Sequence, residues 1–332
     1  MSVQHHPFVQ FLRQHDDTAW EQLLNRLLPD IHPVDKNATQ IWFSFFPYLL
    51  LREYENAPDK AVFTRDLLLQ GKFLLADQVD SSHAFLFGYR YWAETKQIVV
   101  KLVKETPRPT NLEALIRKVA TSTAEYLHTE PSLVLGITAV AFMTLQQVGW
   151  ETFNHRADTT IPPVPKSPKQ LLADREAERA DLLNFMRTID KRYEVCYDET
   201  NPHATFQVIN QQPMTTASTQ VKDNFKKQDP RRVEGPIPIE CQTGSCGTCW
   251  VGILGGNNHV NEISAFEVKR LAKIGYPYNG QDRPIIRLAC KAICSGSVTI
   301  VIPPWNGQIA PLYRNNQPEQ PVAEPATAKM TK

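Results

Sequence analysis

Four of the six cysteines in this 332-residue chain follow a pattern that limits how the chain can fold. Cys241, Cys246 and Cys249 have the spacing C-x4-C-x2-C, and Cys290 follows further along the chain. Three thiols this close in sequence converge only if their loop wraps tightly, and small residues such as Gly244 permit such a backbone. The spacing predicts that the four thiolates bind a [2Fe–2S] cluster.

The segment Cys241–Cys249, together with Arg287-Leu288-Ala289-Cys290, resembles the plant-type ferredoxin family. The resemblance covers residues 191–313 and implies a β-grasp domain. It also implies that Cys241 and Cys246 bind one iron while Cys249 and Cys290 bind the other. Reduction near −400 mV is typical of plant-type centres, and their function is to pass single electrons to or from a protein redox partner.

Two other chemistries for these cysteines remain open. Structural zinc sites with four cysteines usually pair two C-x2-C units, whereas here only Cys246 and Cys249 form such a unit. Disulfide frameworks are typical of small secreted domains, and the first residues, 1–7, lack the basic and apolar blocks of a signal peptide. We therefore expect a cytoplasmic protein with reduced thiols.

Composition excludes some classes of partner. The net charge is +1, with 42% hydrophobic and 21% charged residues. The protein therefore lacks the strong positive electrostatic field that favours binding to nucleic acid. The most apolar run, Leu133–Met143, is shorter than the roughly twenty residues that span a membrane. We expect a buried helix there, no transmembrane segment and no nucleic-acid partner.

The fold class predicted is α+β, with an N-terminal all-α helical bundle over residues 1–155. Apolar residues recur at helical spacing, and Asp17 is the expected N-cap of the second helix. Pro47 is expected to split a helix, and Tyr126 to lie on an apolar face. The helices expected lie at 8–12, 20–28, 41–51, 98–103, 111–127 and 131–149, although the β-branched residues of 98–103 also suit a strand.

The C-terminal half is predicted to contain a linker and β-strands in place of a helical bundle. Residues 156–190 predict a Pro-rich linker followed by a charged helix that begins at Pro168. Residues 191–313 predict a ferredoxin-like domain that opens with a β-hairpin, and residues 314–332 a disordered tail. The remaining expectations are weak helix in 211–238, strands at 250–254 and 298–302, and a helix at 261–274 with Ile263, Phe266, Leu271 and Ile274 on one face.

Several further residues have more than one possible explanation. Cys294 is an alternative ligand, a redox-sensing thiol or an ordinary buried cysteine. The aromatic blocks 41–48 and 85–92 line a cofactor or quinone pocket, or simply fill a helical core. A basic loop either docks an acidic redox partner or is only solvated; its cations are Lys222, Lys226, Lys227, Arg231 and Arg232.

The sequence contains no G-x-G-x-x-G and no P-loop motif, so we expect no flavin or nicotinamide site that would make the chain a reductase on its own. No catalytic residues are predicted. The function expected is one-electron transfer by a single [2Fe–2S] cluster, with the helical part docking the protein to a redox partner or complex. The alternatives are a redox-sensing regulatory module and the iron–sulfur subunit of a multi-chain oxidoreductase.

Overall fold

The computed structural model describes most of the chain, and its architecture is mixed, with helices in the N-terminal half and a five-stranded sheet in the C-terminal half. This confirms the α+β class. The described residues are 6–45, 56–62, 75–106, 109–155, 166–177, 190–222, 225, 232, 235–245, 248–274 and 278–302. The helices are α1 (Pro7–Arg13), α2 (Asp17–Leu27), α3 (Pro33–Phe45), α4 (Trp92–Glu105), α5 (Leu112–Leu127), α6 (Pro131–Phe153), α7 (Pro168–Glu176), α8 (Met214–Ser218) and α9 (Ala265–Ile274).

Helix α6 is the centre of the helical part. It begins with Pro131, whose missing N–H costs nothing in the first turn. Its backbone leaves helical geometry at Gly149 (φ 79°), where the sequence predicts an end, before continuing to Phe153. It is long and apolar enough to cross a membrane, but 94% of its most apolar window is buried inside the protein. Helices α1, α3, α4 and α5 pack around it.

The helices predicted at 8–12, 20–28, 98–103, 111–127 and 131–149 are confirmed, with two corrections. Of the helix predicted at 41–51, only residues 41–45 are described, and they belong to α3. Asp16, not Asp17, caps α2, because its carboxylate accepts a hydrogen bond from Ala19 N at 2.8 Å. Tyr126 is 71% exposed, so it does not share the buried face of α5. Pro47 lies outside the described residues.

The sheet has the strand order β2-β1-β7-β4-β5. Strands β1 and β2 form the predicted antiparallel hairpin, with Tyr193 opposite Val208. Strand β1 runs parallel to β7, and β4 is antiparallel to both β7 and β5. The strand bounds are β1 (Arg192–Cys196), β2 (Thr205–Ile209), β3 (Gln212–Pro213), β4 (Trp250–Gly255), β5 (Ile286–Leu288), β6 (Ile293–Cys294) and β7 (Val298–Val301), with β3 and β6 paired separately.

Two C-terminal expectations are revised. Helix α9 begins at Ala265, later than the predicted residue 261, and Phe266 is 44% exposed while Leu271 is buried; the side chain of Ile274 lies outside the described part. The charged helix, which the sequence predicts to extend to about Lys191, ends at Glu176 as α7. Among the described residues of the segment 211–238, where the sequence favours little helix, α8 is a short helix.

The helical part packs directly against the sheet. A Cβ added at Gly252 of β4 would lie 2.7 Å from Cγ2 of Ile41 on α3, so the absence of a side chain there lets helix and strand approach closely. Hydrophobic residues of both halves belong to one core cluster, which includes Phe8 of α1 and Val301 of β7. The predicted Pro-rich segment 156–165 and the tail 314–332 lie outside the described residues.

Candidate metal centre

The pairing of β4 with β5 places two of the predicted cluster ligands next to each other. Trp250 is opposite Leu288 in the antiparallel ladder. Cys249 precedes Trp250, and its carbonyl accepts a hydrogen bond from Ala289 N at 2.9 Å. Cys290 follows in the turn after β5. The ladder therefore fixes the backbones of Cys249 and Cys290 at the same end of the sheet.

The two thiols contact each other. A hydrogen bond from Cys249 lowers the pKa of the Cys290 thiol, while burial and the nearby Cys241 thiol act in the opposite direction and the Lys291 ammonium adds to the lowering. Cys249 and Cys290 are buried, with 4% and 7% of their surfaces exposed, and Cys241 is half-buried. A lowered pKa favours the thiolate, which is the form that binds metal.

The loop that carries Cys241 folds back on the turn that carries Cys290. Gln242 and Gly244 have positive φ angles, 53° and 84°. A Cβ added at Gly244 would lie 2.9 Å from Cε of Lys291 and 3.1 Å from Cε1 of Phe266. Glycine is suited to this position because it adopts the left-handed conformation and leaves room for both neighbours.

Hydroxyl groups tie the loop together. Thr248 Oγ1 donates a hydrogen bond to Glu240 Oε2 at 2.8 Å, which joins the two ends of the loop. The hydroxyls of Thr243 and Ser245 lie 2.9 Å apart.

A buried ion pair lies behind the Cys290 turn. Arg287 donates hydrogen bonds to both carboxylate oxygens of Glu267, at 3.0 and 3.1 Å, and both side chains are almost completely buried. Glu267 Oε1 also accepts from Leu288 N at 2.8 Å. Asn261 contributes its carbonyl oxygen to Arg287 Nη1 at 2.7 Å and its side-chain oxygen to Ile293 N at 2.7 Å.

Sequence reasoning identified Arg287 only as part of the ligand motif and did not find Glu267 or Asn261. A buried arginine needs a carboxylate partner, and that requirement is the signal that could have led to Glu267. That signal applies only once Arg287 is known to be buried, and its burial is decided by the packing of α9 against β5, which the sequence does not show. Together these three residues hold α9, β5 and the Cys290 turn in one arrangement.

The structure thus brings three predicted ligands together, Cys241, Cys249 and Cys290, while Cys246 lies outside the described residues. Within that described part, no three His, Cys, Asp or Glu side chains are arranged to hold a metal ion. The three thiols are therefore neighbours without forming a closed ligand set. As a donor set they fit soft metal centres, zinc or iron–sulfur.

The other candidate residues lie elsewhere. Cys294 on β6 is fully buried, and burial raises the pKa of its thiol to about 12, which is typical of an unreactive core cysteine. Cys196 is buried on β1. Of the predicted basic loop, only Lys222 and Arg232 lie within the described residues. The aromatic block 85–92 contributes to both the helical core and a cavity beside it.

Comparisons with known proteins found no family model, no curated protein and no solved structure that matches this chain.

Proposed function

We propose that this protein carries single electrons on a [2Fe–2S] cluster bound by Cys241, Cys246, Cys249 and Cys290. The observation on which the proposal rests is that segments far apart in sequence bring the thiols of Cys249 and Cys290 into contact, with Cys241 close enough to affect the pKa of Cys290. The C-x4-C-x2-C spacing adds the preference for iron–sulfur over zinc.

The strand order supports a β-grasp assignment for residues 191–313. The hairpin of β1 and β2 opens the sheet, and the last strand, β7, returns to lie parallel to β1 at the centre. Strands β4 and β5 complete one side of the sheet, and both predicted ligand segments adjoin them. These features support the ferredoxin-like domain that we propose.

The bound cluster would supply one-electron redox chemistry. The chain's own residues would position its cysteine ligands and keep them in the thiolate form. The loop of residues 241–245 encloses Cys241 by means of the positive φ angles at Gln242 and Gly244. Arg287 and Glu267 fix the Cys290 turn. Lys291 places a positive charge beside Cys290, where it favours the thiolate.

A redox partner would approach next to the loop. Phe266 is exposed beside Gly244, and two cations lie near its ring: Arg270 at 5.2 Å and Lys291 at 5.9 Å from the ring centroid. An aromatic side chain framed by positive charges suits a partner with an acidic face. Residues 191–310 contain thirteen Lys and Arg and ten Asp and Glu, and this excess of positive charge also favours an acidic partner.

Anaerobic purification followed by iron and acid-labile sulfide analysis and EPR tests the proposal. We expect about two irons per chain and an EPR signal of plant-type character after reduction. Replacing Cys249 or Cys290 with Ser should remove most of the iron and the sulfide. The matched control is Cys294→Ala, which removes a buried thiol outside the ligand set and should leave the cluster intact.

Zinc without acid-labile sulfide in the protein as purified would overturn the proposal. Equal loss of iron in Cys290→Ser and Cys294→Ala would show instead that the substitutions act only through folding, and would remove Cys290 from the ligand set.

A redox-sensing module is a second candidate, and one contact favours it. Strand β4 begins directly after Cys249, and its Gly252 touches Ile41 of α3. A movement of Cys249 that accompanies a change in the cluster's charge would therefore shift β4 and, through Gly252 and Ile41, helix α3. Partner pull-downs with oxidised and reduced protein separate the candidates, because a sensor must bind its partner differently in the two states. Co-purification of a flavin- or metal-containing chain would instead support an oxidoreductase subunit.

A further inference from the structure

A cavity of about 580 Å³ lies between the helical part and the sheet, at the opposite end of β4 from Cys249. Its volume is in the range of small-molecule sites, which are commonly found where two parts of a protein meet. The cavity contains none of the predicted cluster ligands.

The walls of the cavity are mainly apolar and come from both halves of the protein. The helical part contributes Phe85, Leu86 and Phe87, and the sheet contributes Leu254 and Ile300. Such walls can bury a flat or aliphatic body of a ligand, and aromatic rings contribute a large contact area.

Arg90 adds a positive charge to this apolar wall. Its guanidinium lies over the ring of Phe87, 3.4 Å from the centroid, and its Nε donates to the Phe87 carbonyl at 3.2 Å. Within the described part of the chain Arg90 forms no ion pair, and its Nη2 is buried without a hydrogen-bond partner. Burial lowers the pKa of Arg90, while the electrostatic effects of Tyr91 and Asp35 act in the opposite direction.

The acidic residues at the cavity wall are already engaged. Both carboxylate oxygens of Glu199 accept hydrogen bonds from Arg175 at 2.7 Å. One oxygen of Asp198 accepts from the backbone and the hydroxyl of Thr200, at 2.9 and 2.6 Å. Arg232 is a second cation in the wall. The cavity therefore combines apolar surface with the guanidinium of Arg90, whose Nη2 has no hydrogen-bond partner among the described residues.

We propose that this cavity binds an organic carboxylate with an apolar body, whose carboxylate pairs with the guanidinium of Arg90 while the body packs against Phe85 and Leu254. Planar carboxylate recognition is the geometry for which arginine is suited. Neutral apolar molecules would gain the packing but leave the arginine unpaired. The proposal is independent of the [2Fe–2S] assignment, since no residue is shared.

Isothermal titration calorimetry with the full-length protein tests the site, with 2-naphthoate as the probe and 2-naphthamide as its neutral counterpart. We expect 2-naphthoate to bind with a Kd of about 1 mM or lower, and the amide roughly tenfold more weakly, because it cannot form the charge-assisted bond. Arg90→Met should weaken 2-naphthoate binding by roughly tenfold or more. The control Arg283→Met, which removes a guanidinium outside the cavity, should change the affinity by less than about twofold.

A second variant keeps the test decisive if Arg90→Met does not fold. Ala84 is exposed and lines the cavity, so Ala84→Trp should occupy space there without disturbing the core, and should abolish binding. Absence of binding to the wild-type protein, equal affinity for acid and amide, or undiminished binding by Ala84→Trp would each overturn the proposal. Iron content measured in the same samples reports separately on the cluster.

Discussion

Arg287 and Glu267 form the most completely buried ion pair described near the cysteines, with 1% and 0% of their side chains exposed. The two charges satisfy each other, and Leu288 N and the Asn261 carbonyl complete their hydrogen bonds. Such a pair adds little net stability compared with an apolar pair, but removal of one partner leaves an uncompensated buried charge. Its contribution is therefore to hold one arrangement of the Cys290 turn.

Glu267→Gln should lower the free energy of unfolding by about 3 kcal/mol, because Arg287 then remains charged and buried without a counter-ion. Urea titration followed by circular dichroism gives the value. Glu262→Gln is the matched control: Glu262 pairs with Arg283 at 3.6 Å in an exposed position, so its loss should cost less than about 0.5 kcal/mol. Similar costs for the two variants would contradict the account of the buried pair.

Two other buried groups, His83 and Asp35, link stability to pH in opposite directions. Burial, assisted by the charge of Lys96, lowers the pKa of His83 to about 3. The unfolded chain then binds a proton near the ordinary value of 6.5 while the folded one does not, so stability falls as the pH falls from 6.5 towards 3. Burial raises the pKa of Asp35 to about 6. The folded state therefore keeps a proton that the unfolded state has lost, and stability rises as the pH falls from 6 to 3.8.

His83→Gln should reduce the loss of stability between pH 7 and pH 4.5, because the group that must be protonated on unfolding has been removed. Urea midpoints at several pH values, for the wild type and the variant, measure the effect. With His83 gone, the contribution of Asp35 should make the variant relatively more stable at pH 5 than at pH 7. The exposed His203 provides the control, and His203→Gln should leave the pH profile unchanged.

At the scale of elements, the contact between α3 and β4 depends on the absence of a side chain at Gly252. A Cβ there would meet three carbons of Ile41 at 2.7, 2.8 and 3.0 Å. Real Cβ atoms do not approach other atoms so closely, so the helix or the isoleucine would have to move. The close packing is what joins the helical part to the strand that starts at the candidate metal centre.

Gly252→Ala should lower the free energy of unfolding by about 1–3 kcal/mol through overpacking. Ile41→Ala alone should cost about 2–5 kcal/mol because it leaves a cavity. The double variant should cost clearly less than the sum, since the new methyl group enters the space that the isoleucine vacates. Strict additivity in urea titrations of the four proteins would contradict the proposed contact.

Elements were well predicted where their own sequence carries the signal. The hairpin, α5 and the start of α6 follow from alternation, helical periodicity and Pro131. The errors are at positions decided by surroundings. Asp16 and Asp17 are the same residue type, and Asp16 is the cap because its backbone is extended (φ −75°, ψ −178°) while Asp17 is already helical. Phe266 has the spacing of a core residue but lies beside Gly244 of the loop, where 44% of its surface is exposed.

At the scale of the whole molecule, Arg175 of α7 joins parts that are distant in sequence. Its Nη1 donates to the Val34 carbonyl of α3 at 2.6 Å, and its other nitrogens hold Glu199 in the turn of the β1–β2 hairpin. The arginine is buried, and Glu199 raises its pKa against the opposing effect of burial. One side chain thus connects the helical part, α7 and the sheet.

Arg175→Met should destabilise the protein by about 3–5 kcal/mol, because Glu199 is left without its partner. Both halves share one core, so the wild-type protein should unfold in one transition. The loss of helix measured by circular dichroism and the change in tryptophan fluorescence should then have the same urea midpoint. Lys166→Met breaks a more exposed pair with Asp174 and should cost less than about 1 kcal/mol. Separate transitions in the wild type would show that the halves unfold independently.

The sequence by itself determined the α+β class, the main helices and the hairpin, because these depend on local periodicity and on turn residues. It also specified the cysteine spacing, which remains the main argument for an iron–sulfur centre. Only the tertiary structure decided that Cys249 and Cys290 touch, that Glu267 neutralises Arg287, and that Arg90 lines an apolar cavity. These features join residues far apart along the chain, and burial and contact between such residues arise only when the elements pack.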